Sequence, residues 1–254
     1  MDRDSDDQSG SYENYASDEG SVDSSDLDEA EIFERDLPRV RNNDPDVKYL
    51  SCGCDYIPVN NIVRNMTTEE LEDIGRDISN NTYLMKLSIF VGALDDERLS
   101  SLFRGLSRSS SIVTLNLGDN EFSGAGLRSL KPFVQSSINL RQLNVNYNDI
   151  ETEGFNILWQ ALCGSSLERL DCSDCGITSI EIETVPPNLL ELELSGNDIQ
   201  SEGFNRLLRS LHDSNVDVLH YDICEIESIE IDIDSLPKSL NSPRFQQNQF
   251  KWMS

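Results

Sequence analysis

Apolar positions in this 254-residue chain follow neither a plain helical period nor plain strand alternation, but a recurring composite of the two. Six segments fit the template LxxLxLxxNxL: LMKLSIFVGAL (84–94), IVTLNLGDNEF (112–122), LRQLNVNYNDI (140–150), LERLDCSDCGI (167–177), LLELELSGNDI (189–199) and VDVLHYDICEI (216–226). Their starts are 28, 28, 27, 22 and 27 residues apart. A seventh, VKYLSCGCDYI (47–57), fits upstream as an N-terminal cap repeat. Positions 4 and 6 alternate inward on a short strand. Position 9 holds Asn120, Asn148, Cys175, Asn197 or Cys224, with Gly92 and Asp55 as departures. A side chain turned inward there can bond backbone groups that the bending chain leaves unpaired. A strand this short cannot bury its face alone, so such units must stack.

The intervals carry a second pattern. Counting from position 9 in three repeats, Gly126, Gly154 and Gly203 fall at +6, and Leu127, Phe155 and Phe204 at +7. Leu130, Leu158 and Leu207 follow at +10, then Val134, Leu162 and Leu211 at +14. Leu99, Leu102 and Leu106 keep the last three offsets in the repeat that starts at 84. Spacings of three and four describe one helix face, so most units read strand, turn, helix. TTEELEDIGRDI (67–78) opens with Thr67 and, three residues on, Glu70, a capping-box start for the first helix. ITSIEIETVPPN, in the 22-residue unit, has no room for a helix, and Pro186 and Pro187 would end one. IESIEIDIDSLPKSL (226–240) looks similar. Both predict a local change in curvature.

The template, its Asn or Cys at position 9 and the helix starts TEGF and SEGF resemble the ribonuclease-inhibitor-like leucine-rich repeat family. The resemblance covers roughly residues 44–240. It implies an α/β fold: a right-handed solenoid or horseshoe with parallel strands on the concave face and mostly helices on the convex face. The expected organisation is an acidic tail over 1–36, a repeat domain over 37–240 and a C-terminal cap or tail over 241–254, where Phe245, Phe250 and Trp252 would cover the open end of the stack.

The stretch CSDC looks like a metal knuckle or a redox pair. The repeat explains both thiols: Cys172 occupies core position 6 and Cys175 ladder position 9. A zinc site needs two more ligands close by, and Cys54, Cys163, His212 and His220 are not spaced as a second pair. Cys52 likewise falls at position 6. No metal and no cofactor is expected.

Charge changes the picture at the N-terminus. The chain has 47 acidic and 20 basic residues, and residues 1–36 hold 14 acidic, 2 basic and 7 serines. Such a segment has almost nothing to bury. EAEIFERDL (29–37) is the exception, with Ile32, Phe33 and Leu37 placed to form a short helical anchor. Ser25, followed by Asp26 and Asp28, resembles an acidophilic kinase site. The negative balance disfavours nucleic acid and anionic membranes and favours a protein partner with a basic surface. No apolar run approaches the roughly 20 residues of a membrane span, and the acidic start lacks a secretory h-region. Cysteines without a signal point to a cytoplasmic or nuclear setting, so the sequons at Asn65 and Asn80 read as chance matches.

Strand positions 2, 3, 5, 7 and 8 are the candidate partner-binding face. In the N-terminal half they include Lys48, Tyr49, Met85, Lys86, Phe90, Asn116, Asp119, Arg141, Asn144, Asn146 and Tyr147. In the C-terminal half they include Arg169, Asp171, Asp174, Glu191, Glu193, His220 and Asp222. Phe90, Arg141 and Tyr147 have hot-spot chemistry, and the carboxylates would steer a cationic partner. Only two histidines are present, with no nucleophile–base motif beside either and no P-loop. The expectation is a non-enzymatic interaction module. The resemblance also admits a GTPase-activating protein similar to the Ran activator, and an acidic, chaperone-like binder of histones or other basic proteins.

Overall fold

The computed structural model describes residues 29–52, 62–106, 111–182, 184–222, 224, 226, 228–229 and 251–252. Ser25, Cys54, Phe245, Phe250 and nearly all of 226–240 lie outside them. Seven short strands form one sheet: β1 (Tyr49–Cys52), β2 (Lys86–Ile89), β3 (Thr114–Asn116), β4 (Gln142–Asn144), β5 (Arg169–Asp171), β6 (Glu191–Glu193) and β7 (Val218–His220). All pair in parallel and in chain order. The register is the register of the template. Leu50, Leu87, Leu115, Leu143, Leu170, Leu192 and Leu219 stand in one column, each almost fully buried. Each such side chain contributes about 1.5–3 kcal/mol by leaving water. A further short pair, β8 (Ser228–Ile229) with β9 (Lys251–Trp252), closes the described elements.

Helices fill the intervals: α1 (Glu29–Arg41), α2 (Ile62–Asn65), α3 (Thr68–Asn80), α4 (Asp96–Gly105), α5 (Gly124–Ser136), α6 (Glu151–Leu162) and α7 (Gln200–Leu211). The capping box forms: Thr67 Oγ1 accepts from the Glu70 amide at 3.2 Å, and Glu70 Oε2 accepts from the Thr67 amide at 2.8 Å. Asp95 and Ser123 cap α4 and α5 with a single side-chain acceptor each, taking the amides of Arg98 and Ala125. Neighbouring helices need about 8–10 Å and neighbouring strands about 4.8 Å, so the stack bends with the sheet inside. Right-handed crossovers join the parallel strands.

Between β5 and β6 the described residues contain no helix. The extended segment instead lies between α6 and α7: Trp159 Nε1 donates to the Thr184 carbonyl at 2.7 Å, and Ser210 Oγ donates to the Ile182 carbonyl at 3.1 Å. At the other end, α1 starts eight residues before the expected 36/37 boundary, which falls inside it. Phe33, Leu37 and Val40 are buried against the first repeat. Asp36 sits between Arg35 and Arg39, which hold its carboxyl below the usual carboxylate range. Phe33 and Leu37 are two of the three residues expected to anchor a short helix in EAEIFERDL, and the buried face runs on to Val40.

Candidate partner-binding face

The ladder is built first, because it holds the strand exits in place. Asn120 Nδ2 donates to the carbonyls of Ile89, Leu117 and Gly118, and its Oδ1 accepts from the Leu94 amide. Asn148 Nδ2 donates to Leu117, Val145 and Asn146, while its buried Oδ1 has no partner. Asn197 Nδ2 donates to Cys172, Leu194 and Ser195, and its Oδ1 accepts from the amides of Cys175 and Ile177. Cys175 Sγ donates to the Val145 carbonyl and Cys224 Sγ to the Leu194 carbonyl, each at 3.3 Å. Burial pushes the Cys175 thiol up to about 12 and Cys224 to about 11, and raises Cys172 well above its ordinary value. A reactive thiolate needs the opposite shift. Among the described residues, no group of three or more His, Cys, Asp or Glu side chains is placed to hold a metal ion.

Position 8, just past each of β2–β6, turns left-handed: φ is 55° at Val91, 49° at Asp119, 51° at Tyr147, 50° at Asp174 and 72° at Gly196. From Asp119 onward this conformation aims each amide at the next repeat. Asp119 donates to Asn146, Tyr147 to Ser173, Asp174 to Ser195 and Gly196 to Asp222, at 2.8–3.0 Å. Asp and Gly adopt that backbone readily, whereas Val and Tyr do so against preference.

The concave surface has a floor and two rims. A groove of about 370 Å³ crosses β2–β7, and Lys86, Asn116, Asn144, Arg169, Asp171, Glu191, Glu193 and His220 of the predicted residues line it, with Thr114 and Gln142 from the same strand positions. Phe90, Asp119, Asn146, Tyr147, Asp174 and Asp222 stand on the strand-exit side. Phe90 and Asn146 close over Gly118, where a Cβ would meet them at 3.2 and 2.1 Å. Arg141 stands on the leading side, paired with Glu168 at 3.2 Å.

Position 5 has a local task that the periodicity does not announce. Asn116 Oδ1 accepts from the Gly118 amide, Asn144 Oδ1 from Asn146, Asp171 Oδ1 from Ser173 and Glu193 Oε1 from Ser195, at 2.8–3.0 Å. These are Asx-type turns and a longer relative. The signal was Asn or Asp two residues before a turn residue, as in NxN and DxS.

Charge gathers at the C-terminal half of the floor. His220 Nε2 lies 3.6 Å from Glu191 Oε1, and His220 Nδ1 lies 3.7 Å from Glu193 Oε2. Arg169 reaches Glu191 at 3.0 Å. Burial raises the carboxyl pKa of Asp171 and of Glu193, whereas the bond to His220 lowers that of Glu191.

The chain is similar in part to several known proteins. The family model described as "Leucine Rich repeat" matches residues 108–131, 136–154 and 185–208. A human relative, NACHT, LRR and PYD domains-containing protein 12, is 26% identical over 123 residues, which cover 47% of this chain and 12% of that protein. Among solved structures, the leiomodin-1 actin-binding site 2 gives a TM-score of 0.45 at 22% identity, over 55% of this chain and 78% of that one. The Caenorhabditis elegans tropomodulin C-terminal domain gives 0.43 at 19% identity, over 56% and 82%. Seven parallel strands in template register, an Asn/Cys ladder along their exits and the three matched segments give the chain the architecture of a leucine-rich repeat solenoid.

Proposed function

We propose that the chain is a protein-interaction module of the ribonuclease-inhibitor-like type, and that its concave floor holds a basic segment of a protein partner across β5–β7. The observation that carries this reading is the trio Asp171, Glu191 and Glu193 on adjacent strands of one groove. Burial raises the carboxyl pKa of Asp171 and of Glu193, so the charged form of each carries a desolvation cost. A guanidinium or ammonium group laid between them would offset that cost and satisfy their remaining lone pairs. The Arg169–Glu191 pair, exposed on its arginine side, is weak and gives way to a better cation. The acidic excess of the whole chain speeds encounter with such a partner. The floor offers acceptors and charge rather than a nucleophile with its base, so the module acts by holding.

The test is affinity capture from cell lysate with the full chain and with Asp171→Asn/Glu193→Gln, washed at low and high salt. The reading expects a protein retained by the unmodified chain through the high-salt wash and lost from the double variant. Retention that the double variant leaves unchanged refutes it. A partner lost only on deleting residues 1–28 would move recognition to the acidic segment.

A further inference from the structure

The opposite end of the sheet has the reverse character. Tyr49, Tyr83 and Met85 are 45%, 39% and 48% exposed. Lys48 Nζ sits 4.5 Å from the Tyr83 ring centroid, and Lys86 Nζ sits 4.9 Å from that of Tyr49. Tyr49 and Lys86 face each other across β1 and β2, and the Met85 amide donates to the Lys48 carbonyl at 2.8 Å. The five side chains therefore form one interleaved cationic and aromatic patch. Most of the described arginines have a carboxylate at ion-pair distance. Among the described residues these two lysines have none and rest on ring faces instead. In a chain with more than twice as many acidic as basic residues, that placement leaves two ammonium groups oriented and open to an anion.

We propose that this patch is a docking surface for the chain's own acidic N-terminal segment, residues 2–28. Those residues include ten carboxylates and a single arginine, with Tyr12 and Tyr15 to pack on the exposed rings. The tether reaches. The Thr82 amide donates to Asn43 Oδ1 at 2.8 Å, so the C-terminal end of α1 lies beside Tyr83. The 13 residues of α1 are about 20 Å long, a distance that roughly six extended residues before Glu29 cover. Attachment to the same chain presents the segment at an effective concentration on the order of millimolar. The acidic floor at β5–β7 repels it, which selects the N-terminal end. A partner that uses Tyr49, Met85 or Lys86 must then displace the segment. This proposal concerns different strands from the basic-partner reading and does not rest on it.

Zero-length carbodiimide coupling tests it directly, because it joins only carboxylates and amines already in contact. The full chain is coupled at low concentration as an equal mixture of ¹⁵N-labelled and unlabelled protein, and the linked peptides are read by mass spectrometry. Links from residues 2–28 to Lys48 and Lys86 are expected within one isotope class, about fivefold or more above those to Lys131, Lys238 and Lys251. They are expected to disappear at about 1 M salt. Links spread evenly over all five lysines, links between isotope classes, or no links to Lys48 and Lys86 would each overturn the proposal.

Discussion

The ladder asparagines are not equivalent, and replacing two of them with cysteine exposes the difference. Cysteine already occupies position 9 at Cys175 and Cys224, so it fits the space and donates to a carbonyl of the preceding repeat. In Asn148→Cys, two of three donated bonds are lost, but no acceptor is, because Asn148 Oδ1 accepts nothing. In Asn197→Cys, the same donors are lost and the buried amides of Cys175 and Ile177, each 3.0 Å from Asn197 Oδ1, lose their acceptor. An unsatisfied buried donor costs about 1–3 kcal/mol. Sulfur, a weak acceptor, recovers part of one of the two. Asn197→Cys is therefore expected to cost about 2 kcal/mol more than Asn148→Cys. Urea unfolding under reductant, followed by circular dichroism, measures the difference through the midpoint and the slope m. A shallower m in Asn197→Cys would mark local uncoupling of the last repeats, the expected failure mode of a stack held by nearest neighbours. Equal destabilisation, or a larger loss for Asn148→Cys, would refute the claim that the carbonyl oxygen of the ladder asparagine contributes separately from its amide group.

Three further outcomes follow from the same geometry. A Cβ at Gly105 would meet the Glu72 carbonyl at 2.1 Å, so Gly105→Ala is expected to force α3 and α4 apart and cost about 1–3 kcal/mol despite the better helix former. Gly164→Ala, where a Cβ meets nothing within 4 Å, is the near-neutral control in the same thermal melts. Phe33→Ala should cost about 3–5 kcal/mol and open α1 to limited proteolysis before the repeats yield, whereas simultaneous cleavage would show α1 to be part of the cooperative core. Asp171 and Glu193 have raised folded-state pKa values, so between the unfolded and folded values the folded chain binds more protons, and stability falls as pH rises through that window. Asp171→Asn/Glu193→Gln should therefore stabilise the chain at pH 7 and lose that advantage as pH drops below the carboxylate range, an effect that urea titrations at the two pH values would detect.

What could be read in advance, and what could not, follows from the range of the forces involved. The leucine column and the ladder position recur at fixed offsets, because each repeat must match its neighbour in register, and the capping box at Thr67 and the helixless unit before Leu189 are legible in local residue order. The departures are places where a residue answers to something outside its own repeat. Residues 29–36 are acidic like the segment before them, yet EAEIFERDL carries the apolar face of a short anchor, and Phe33, Leu37 and Val40 are buried against the first repeat. Val91 and Tyr147 are poor candidates for a left-handed backbone, and at Tyr147 the conformation is needed because the amide must reach Ser173 of the next repeat. At the candidate site, alternation correctly sent Asn116, Asn144, Asp171, Glu193 and His220 to one face. It could not divide their work, because Asn116 and Asn144 commit their side-chain oxygens to local turns, as Asp171 and Glu193 each commit one. A carboxylate has a second oxygen where an amide has only its NH₂: Asp171 Oδ2 accepts from Asn146 Nδ2 at 3.3 Å and Glu193 Oε2 faces His220 Nδ1 at 3.7 Å, each with lone pairs left for a cation, whereas Asn116 and Asn144 have only NH₂ groups left to donate. The floor thus changes from donor at β3–β4 to acceptor at β5–β6 through a substitution of amide by carboxylate at one template position, and under the proposed reading that change would orient a basic segment across it.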